Sequence, residues 1–246
     1  MHLLVTDRLS CPRCGPTFGL ILLADDLRDR RVLEGALGCA NCRERYPVRG
    51  GFGDLRPPPR VALEEAAESR EARSPHAAEA ASEPGTQGIH PGPPADDPGS
   101  KGAHPEASAD DPAEAALRLA ALIGVQEGPG LILLAGGWAR LAGRLAARID
   151  EIEVVALDSS LHAEPEEAGV SRLTAGDHLP FFSNALRGVA LEGEQLERWG
   201  GEAVRVLAPG ARLVVRDPPA GLTARLEAKG LHPLLETRRY VVAQRG

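Results

Sequence analysis

The second half of the chain alternates between short apolar runs and amphipathic stretches. An apolar run at 131–135 ends in two glycines and passes into a helical pattern at 139–149. The same periodicities predict strands at 153–157, 171–174, 188–191 and 212–215, helices at 113–123, within 194–206 and at 221–229, and a closing hairpin of strands at 233–236 and 238–244. Strands that alternate with helices indicate an α/β fold, a mostly parallel sheet with helices on both faces.

The first 42 residues hold all four cysteines, in the pairs Cys11-Pro-Arg-Cys14 and Cys39-Ala-Asn-Cys42. Each pair forms a tight knuckle, and two knuckles supply the four thiolates of a tetrahedral zinc site. Because four protein ligands leave no position for water, the spacing predicts a structural Zn²⁺ that adds folding energy to a small domain. The alternatives are a redox pair, which favours a thioredoxin-like context that these residues lack, or disulfides.

The residues between and after the knuckles predict a short apolar strand at 19–23, a charged helical or looped segment at 25–31 and a strand at 32–37. Leu33-Glu-Gly-Ala-Leu-Gly-Cys39 and the later Tyr46-Pro-Val accompany the two knuckles. Residues 2–56 thereby resemble the zinc-ribbon activator of tRNA and protein methyltransferases. The resemblance implies a non-enzymatic domain that pairs with a methyltransferase domain through exposed apolar strands and keeps it soluble. Phe52-Gly-Asp54 departs from the Ile-Pro-x that the family often has there.

The composition changes between the two patterned regions. Residues 57–112 open with three prolines and are rich in Pro, Ala and Glu, with few large apolar side chains. Such a segment buries too little apolar surface to offset the entropy lost on ordering. We therefore predict a disordered linker at 57–112 between domains at 1–56 and 113–246.

Composition and charge narrow the functional classes. The 246 residues are 43% hydrophobic and 26% charged, which is typical of a soluble globular protein. A net charge of -7 gives no general attraction to nucleic acid or to an anionic membrane, so neither a DNA nor a membrane partner is expected. The first residues lack the pattern of a signal peptide, and no apolar run reaches the roughly 20 residues of a membrane helix. We expect a cytoplasmic protein with reduced thiols.

Three stretches of the second half resemble a known family. Asp158 follows the second predicted strand, Gly176-Asp-His-Leu-Pro-Phe181 follows the third, and Arg205-Val-Leu-Ala-Pro-Gly-Ala-Arg-Leu-Val-Val215 leads into the fifth. Residues 113–246 are similar to a class I methyltransferase that uses S-adenosylmethionine. The resemblance implies a Rossmann-like methyltransferase sheet and a carboxylate, Asp158, on the ribose hydroxyls of the cofactor.

The first loop of this region departs from that family. Leu133 and Leu134 fill the region where the family has an acidic residue at the end of strand one. The family's Gly-x-Gly-x-Gly is replaced by Ala135-Gly-Gly-Trp-Ala139. Glycines there let the backbone approach the cofactor closely. Trp138 either points inward and fills the cofactor site or stacks on the following helix.

The resemblance implies that five residues bind the cofactor, namely Gly136, Gly137, Asp158, Asp177 and His178. Three of them also have plainer interpretations. Asp158 would cap a strand end, Asp177 would make a local turn bond, and His178 would be a surface turn residue. No catalytic residue is identified, since methyl transfer needs alignment more than covalent help.

Two functions follow from these patterns. The first is an S-adenosylmethionine-dependent methyltransferase that acts on an unknown protein or RNA. Its zinc-ribbon activator is fused in cis and contacts the methyltransferase domain within the same chain. The tether raises the effective concentration of the two modules. The second is a catalytically inactive methyltransferase fold that acts as a partner-binding or regulatory module.

Two further features have open interpretations. The three arginines Arg140, Arg144 and Arg148 would either contact RNA phosphates or form a solvated helix face. Glu192 would be a substrate-side group or a helix start.

Overall fold

The structure is a computed structural model that describes residues 1–63 and 111–246. Most of the predicted linker at 57–112 lies outside these residues. The helices are α1 (Leu3–Thr6), α2 (Pro112–Ile123), α3 (Ala142–Ala146), α4 (Leu196–Val206) and α5 (Leu222–Glu227). The strands are β1 (Ser10–Cys11), β2 (Gly15–Arg28), β3 (Arg31–Cys39), β4 (Arg45–Arg49), β5 (Phe52–Leu55), β6 (Gly130–Ala135), β7 (Ile152–Leu157), β8 (Val170–Ala175), β9 (Leu186–Glu192), β10 (Leu207–Arg216), β11 (Leu231–Glu236) and β12 (Tyr240–Arg245).

The strands of the second half form the predicted Rossmann-like sheet. In space β8, β7, β6, β9 and β10 are neighbours and all run parallel. β12 lies antiparallel between β10 and β11, so the predicted closing hairpin is present. The α/β fold is therefore confirmed, since β6 is the first strand of the second half yet lies between β7 and β9, where the strand order reverses.

The amino-terminal strands continue the same sheet. β2, β3, β4 and β5 form an antiparallel meander, and β5 then pairs in parallel with β8 from Phe52↔Arg172 to Leu55↔Ala175. Within residues 1–63 and 111–246, the 12 strands follow the order β1-β2-β3-β4-β5-β8-β7-β6-β9-β10-β12-β11. Because the backbone of β5 satisfies the edge of β8, the two halves share hydrogen bonds rather than side-chain contacts alone.

The prediction of a helical or looped segment at 25–31 is wrong. β2 runs on to Arg28, and β3 begins at Arg31 after a two-residue turn. Asp29 and Arg30 have φ of 46° and 63°. Positive φ at both central residues is the geometry of a tight hairpin turn, which non-glycine residues rarely signal in a sequence.

Crossover helices are short or missing on part of the sheet. The predicted helix at 139–149 is a 3₁₀ turn, Gly136–Leu141, followed by the short α3. Only a 3₁₀ turn, Ser159–Ala163, occurs between β7 and β8, and no helix connects β8 to β9. The amino-terminal segment packs there instead, where Ser10 donates its backbone N–H to the carbonyl of Pro180 at 3.0 Å.

Each face of the sheet has an apolar core. One core runs through both halves and joins Leu37 and Tyr46 to Leu173 and Leu213. The other lies under α2 and α3 and includes Ile132. Full burial of such a side chain contributes about 1.5–3 kcal/mol, so the shared core stabilises the junction between the halves. Within the described residues, no helix is long and apolar enough to cross a membrane.

Candidate metal and cofactor sites

The four cysteines converge on one point beside the amino-terminal meander. Their Sγ atoms all lie within 4.8 Å of one another. Cys11 and Cys42 are separated by 3.7 Å between Sγ atoms, and Cys39 and Cys14 by 3.8 Å. Zn–S bonds of about 2.3 Å in a tetrahedron place neighbouring sulfurs about 3.8 Å apart. The cluster therefore has the dimensions of a site for one metal ion.

Polar groups surround this cysteine cluster. The Tyr46 hydroxyl lies 3.5 Å from Cys11 Sγ, and Asn41 Nδ2 donates to Cys14 Sγ at 3.3 Å. Burial and the neighbouring thiols raise the pKa of Cys42 to about 12. Without a cation the Cys42 thiol would keep its proton, so metal binding at Cys42 must release it.

The glycine turn after β6 is covered by protein side chains. Gly136 is buried with φ of 63°, and a Cβ on it would collide with the Gln195 amide and lie 2.7 Å from Glu192 Oε2. A Cβ on the exposed Gly137 would lie 2.7 Å from both Glu192 and Arg216. The space that an open glycine-rich loop offers to a cofactor is taken by these three side chains.

Trp138 points into the core. Its side chain is 2% exposed, its indole N–H donates to the Leu191 carbonyl at 3.1 Å, and its ring lies 6.2 Å from that of Tyr240. The Arg216 guanidinium covers the outer face of the ring and forms an ion pair with Glu192. We call Trp138, Glu192, Gln195 and Arg216 the loop cluster.

The structure separates the other predicted cofactor residues. Asp158 follows β7, next to the end of β6, where its carboxylate accepts from the Ser160 N–H at 2.9 Å and caps the 3₁₀ turn. The side chain of Asp177 is 86% exposed and pairs with Arg198 at 3.0 Å. The His178 side chain is 68% exposed. Asp177 and His178 therefore face solvent, and their role in cofactor binding stays a prediction.

Two members of the loop cluster were absent from the sequence-based candidates. Arg216 is the last residue of β10 and pairs with Glu192, the last residue of β9. Its place at a predicted strand end was the one sequence feature that could have identified it as a candidate. Gln195 was not detectable from sequence. Its side-chain oxygen accepts from the Glu192 backbone N–H at 3.1 Å, whereas its Nε2, although buried, has no hydrogen-bond partner among the described residues.

A cavity of about 640 Å³ lies where the crossover from β7 to β8 lacks an α-helix. Ala156 and Val170 are among the residues that line it, together with Arg140 and Glu167 from the surrounding segments. Arg140, Arg144 and Arg148 are all exposed, but only Arg144 lies on α3, so they do not form one helix face.

A partly buried ionic network joins the two halves. Arg31, next to the hairpin turn, donates to Glu166 at 2.5 Å and to Glu153 at 3.2 Å. Arg172 of β8 donates to Glu166 at 3.1 Å and to the Gly50 carbonyl at 2.8 Å. Sequence reasoning missed this network because its members lie up to 141 positions apart.

No protein-family model matches the chain, and no curated protein shows significant similarity. Among solved structures, a complex that contains the Haloferax volcanii Trm112 methyltransferase activator is similar, with 17% identity, a TM-score of 0.43 and coverage of 54% of this chain and 88% of that one. The antibiotic-resistance methyltransferase Kmr gives 14% identity, a TM-score of 0.40 and coverages of 53% and 93%. The cyclase SpnF gives 18% identity and a TM-score of 0.41; 50% of this chain matches and spans 58% of SpnF. These TM-scores are too low to bear on function.

Proposed function

We propose that this protein is a catalytically inactive methyltransferase-fold protein that acts as a partner-binding or regulatory module. The observation that supports this function is the covered glycine turn, where Glu192, Gln195 and Arg216 lie against Gly136 and Gly137. These residues do not fit S-adenosylmethionine at this turn, because the backbone that would approach the cofactor already contacts protein. A ligand there would have to displace the loop cluster.

Displacement would be costly for two reasons. The Arg216 side chain is 27% exposed and that of Glu192 is 18% exposed, so separating them leaves two poorly solvated charges. Arg216 would also lose its contact with the Trp138 ring, and such cation–π contacts contribute about 0.5–2 kcal/mol. Both costs subtract from any affinity for a cofactor.

For the amino-terminal half, we propose a zinc-ribbon activator-like domain at 1–56 with one structural Zn²⁺ on Cys11, Cys14, Cys39 and Cys42. The sulfur separations and the closed four-thiol set support zinc. The parallel pairing of β5 with β8 supports a permanent intramolecular partnership. The domain bounds at 1–56, 57–112 and 113–246 belong to this proposal.

A second candidate is an S-adenosylmethionine-dependent methyltransferase with the activator fused in cis and an unknown protein or RNA acceptor. The position of Asp158 favours it, since carboxylates at this strand end bind ribose hydroxyls in dinucleotide folds. The unpartnered amide nitrogen of Gln195 also favours it, because buried donors are normally satisfied.

Calorimetry with S-adenosylmethionine and S-adenosylhomocysteine on the full, metal-loaded chain separates the two candidates. We expect no detectable binding to the natural sequence. Micromolar binding that Asp158→Ala abolishes, and that the control Asp150→Ala at an exposed position before β7 retains, would overturn the inactive assignment. New affinity in the double variant Trp138→Gly, Ala139→Gly would show that the turn alone excludes the cofactor.

A further inference from the structure

The cavity of about 640 Å³ beside β7 and β8 has the size of a ligand pocket. Such pockets commonly measure about 300–1,000 Å³ and combine an apolar surface with a few polar groups. Apolar side chains form part of its lining, namely Ala139, Ala142, Ala156, Leu161 and Val170. The volume and the apolar surface are therefore sufficient for a small organic molecule.

Arg172 contributes a buried cation to the lining of this cavity. Its side chain is 4% exposed. Nη1 donates to the carbonyls of Leu161 and Glu164. Nη2 donates to the Gly50 carbonyl and to the Glu166 carboxylate. The remaining donor, the Nε–H, is buried and has no partner among the described residues. Because buried donors are normally satisfied, this one calls for an acceptor oxygen that a ligand would supply.

Three exposed charged side chains also line the cavity, namely Arg140, Glu164 and Glu167. None of them forms an ion pair with another described residue. One cation and two carboxylates on the same lining are complementary to a ligand that carries both charges. An amine alone would leave the Arg172 Nε–H unsatisfied, and a carboxylic acid alone would meet two like charges.

The Glu167 carboxylate lies against the backbone of α3. A Cβ on Gly143 would lie 1.9 Å from Glu167 Oε1, so the carboxylate occupies space that any other residue at 143 would fill. Alanine would favour the helix more than glycine does, yet it would displace this carboxylate. Gly143 therefore determines where the acidic side of the cavity lies.

We propose that this cavity binds a free apolar α-amino acid. The carboxylate of the ligand accepts from the Arg172 Nε–H, its ammonium group donates to Glu167, and its side chain lies on the apolar lining. Arg172 also donates to Gly50 of the amino-terminal half, so binding of the amino acid stabilises the junction between the halves.

This inference goes beyond the proposed function and does not depend on it. Trp138, Glu192, Gln195 and Arg216, which form the loop cluster, are not part of the cavity lining. Titrations with an amino acid and with S-adenosylmethionine are separate measurements, so either proposal can fail without the other.

Calorimetry on the full, metal-loaded chain tests the cavity with L-leucine, L-methionine and L-phenylalanine. We expect at least one of them to bind with a dissociation constant below about 1 mM. Analogues of that amino acid without the ammonium group or without the carboxylate should bind at least about tenfold more weakly, because each loses a charge-assisted hydrogen bond. Absence of binding by all three at about 10 mM would overturn the proposal, as would equal binding of either analogue.

Two variants test whether the ligand lies in this cavity. Glu167→Gln removes the carboxylate charge at an exposed position, and Gly143→Ala displaces the carboxylate while favouring α3. Each should weaken binding at least about tenfold, while the metal content and the unfolding temperature without ligand stay those of the natural protein.

The matched control is Glu236→Gln, which changes an exposed glutamate of β11 outside the cavity lining. It should bind the amino acid as the natural protein does. Unchanged affinity in Glu167→Gln would overturn the proposal, and so would an equal loss of affinity in Glu236→Gln.

Discussion

The Arg216 guanidinium lies over the indole ring of Trp138, 4.6 Å from the ring centroid. Arg216 comes from the end of β10 and Trp138 from the turn after β6, so their contact bridges two strands with β9 between them. Glu192, at the end of β9, pairs with the same guanidinium. The ends of β6, β9 and β10 are thus tied together by the Arg216 side chain.

Truncating Trp138 should destabilise the fold. Trp138→Ala removes a ring that is 2% exposed and should cost about 3–5 kcal/mol of unfolding free energy, because the cavity cannot fully collapse. Trp138→Phe keeps most of the packing but leaves the Leu191 carbonyl without its donor, which should cost less. Urea unfolding measures both values. Equal stability of all three proteins would contradict the buried position of Trp138.

The cysteine cluster should determine the metal content. Elemental analysis should find about one zinc per natural chain, and Cys42→Ser should lose it, because the tetrahedron then lacks one thiolate. Tyr46→Phe removes a hydroxyl 3.5 Å from Cys11 Sγ and should keep the metal with about 10–100-fold lower affinity, as outer-sphere contacts orient ligands. Competition with a chelator measures the affinity. A metal-free natural protein with titratable disulfides would exclude zinc.

Glu166 should make stability depend on pH. Burial alone would raise the pKa of Glu166, but hydrogen bonds and charges of the Met1 amino group and Arg31 outweigh it and lower the pKa from 4.5. The folded pKa lies below the unfolded one, so this stabilisation is present above the unfolded pKa and is lost as pH falls through the folded value.

The matching variants are Glu166→Gln and the exposed Glu164→Gln. Glu166→Gln should lose about 1.5–3 kcal/mol at pH 7, the contribution of a hydrogen bond to a charged group, and should show a flatter loss of stability in acid. Glu164→Gln should behave as the natural protein. Unfolding free energies measured at neutral and acidic pH provide the comparison. If stability falls with pH in the same way in all three proteins, Glu166 does not stabilise the contact between the two halves.

Local patterns in the sequence predicted much of the second half correctly. The strand at 131–135 corresponds to β6, and the helix at 113–123 corresponds to α2, where Asp111 caps the first turn through the Ala113 N–H. Hydrophobic periodicity and helix capping depend on residues close together in the chain, so a single sequence is enough to predict them. The 3₁₀ turn that replaces the start of the predicted helix was not predictable, because its Trp138 contacts Leu191, a residue 53 positions away in the chain.

The sequence by itself determined the elements of the parallel sheet and the two cysteine pairs, because periodicity and C-x2-C spacing act over a few residues. Only the tertiary structure decided that β5 joins β8, that Arg31 reaches Glu166, and that Arg216 and Glu192 cover the glycine turn. Those relationships bring together residues from distant strands. Their energies depend on burial and on which strand ends meet at one edge of the sheet, and neither is encoded in local spacing.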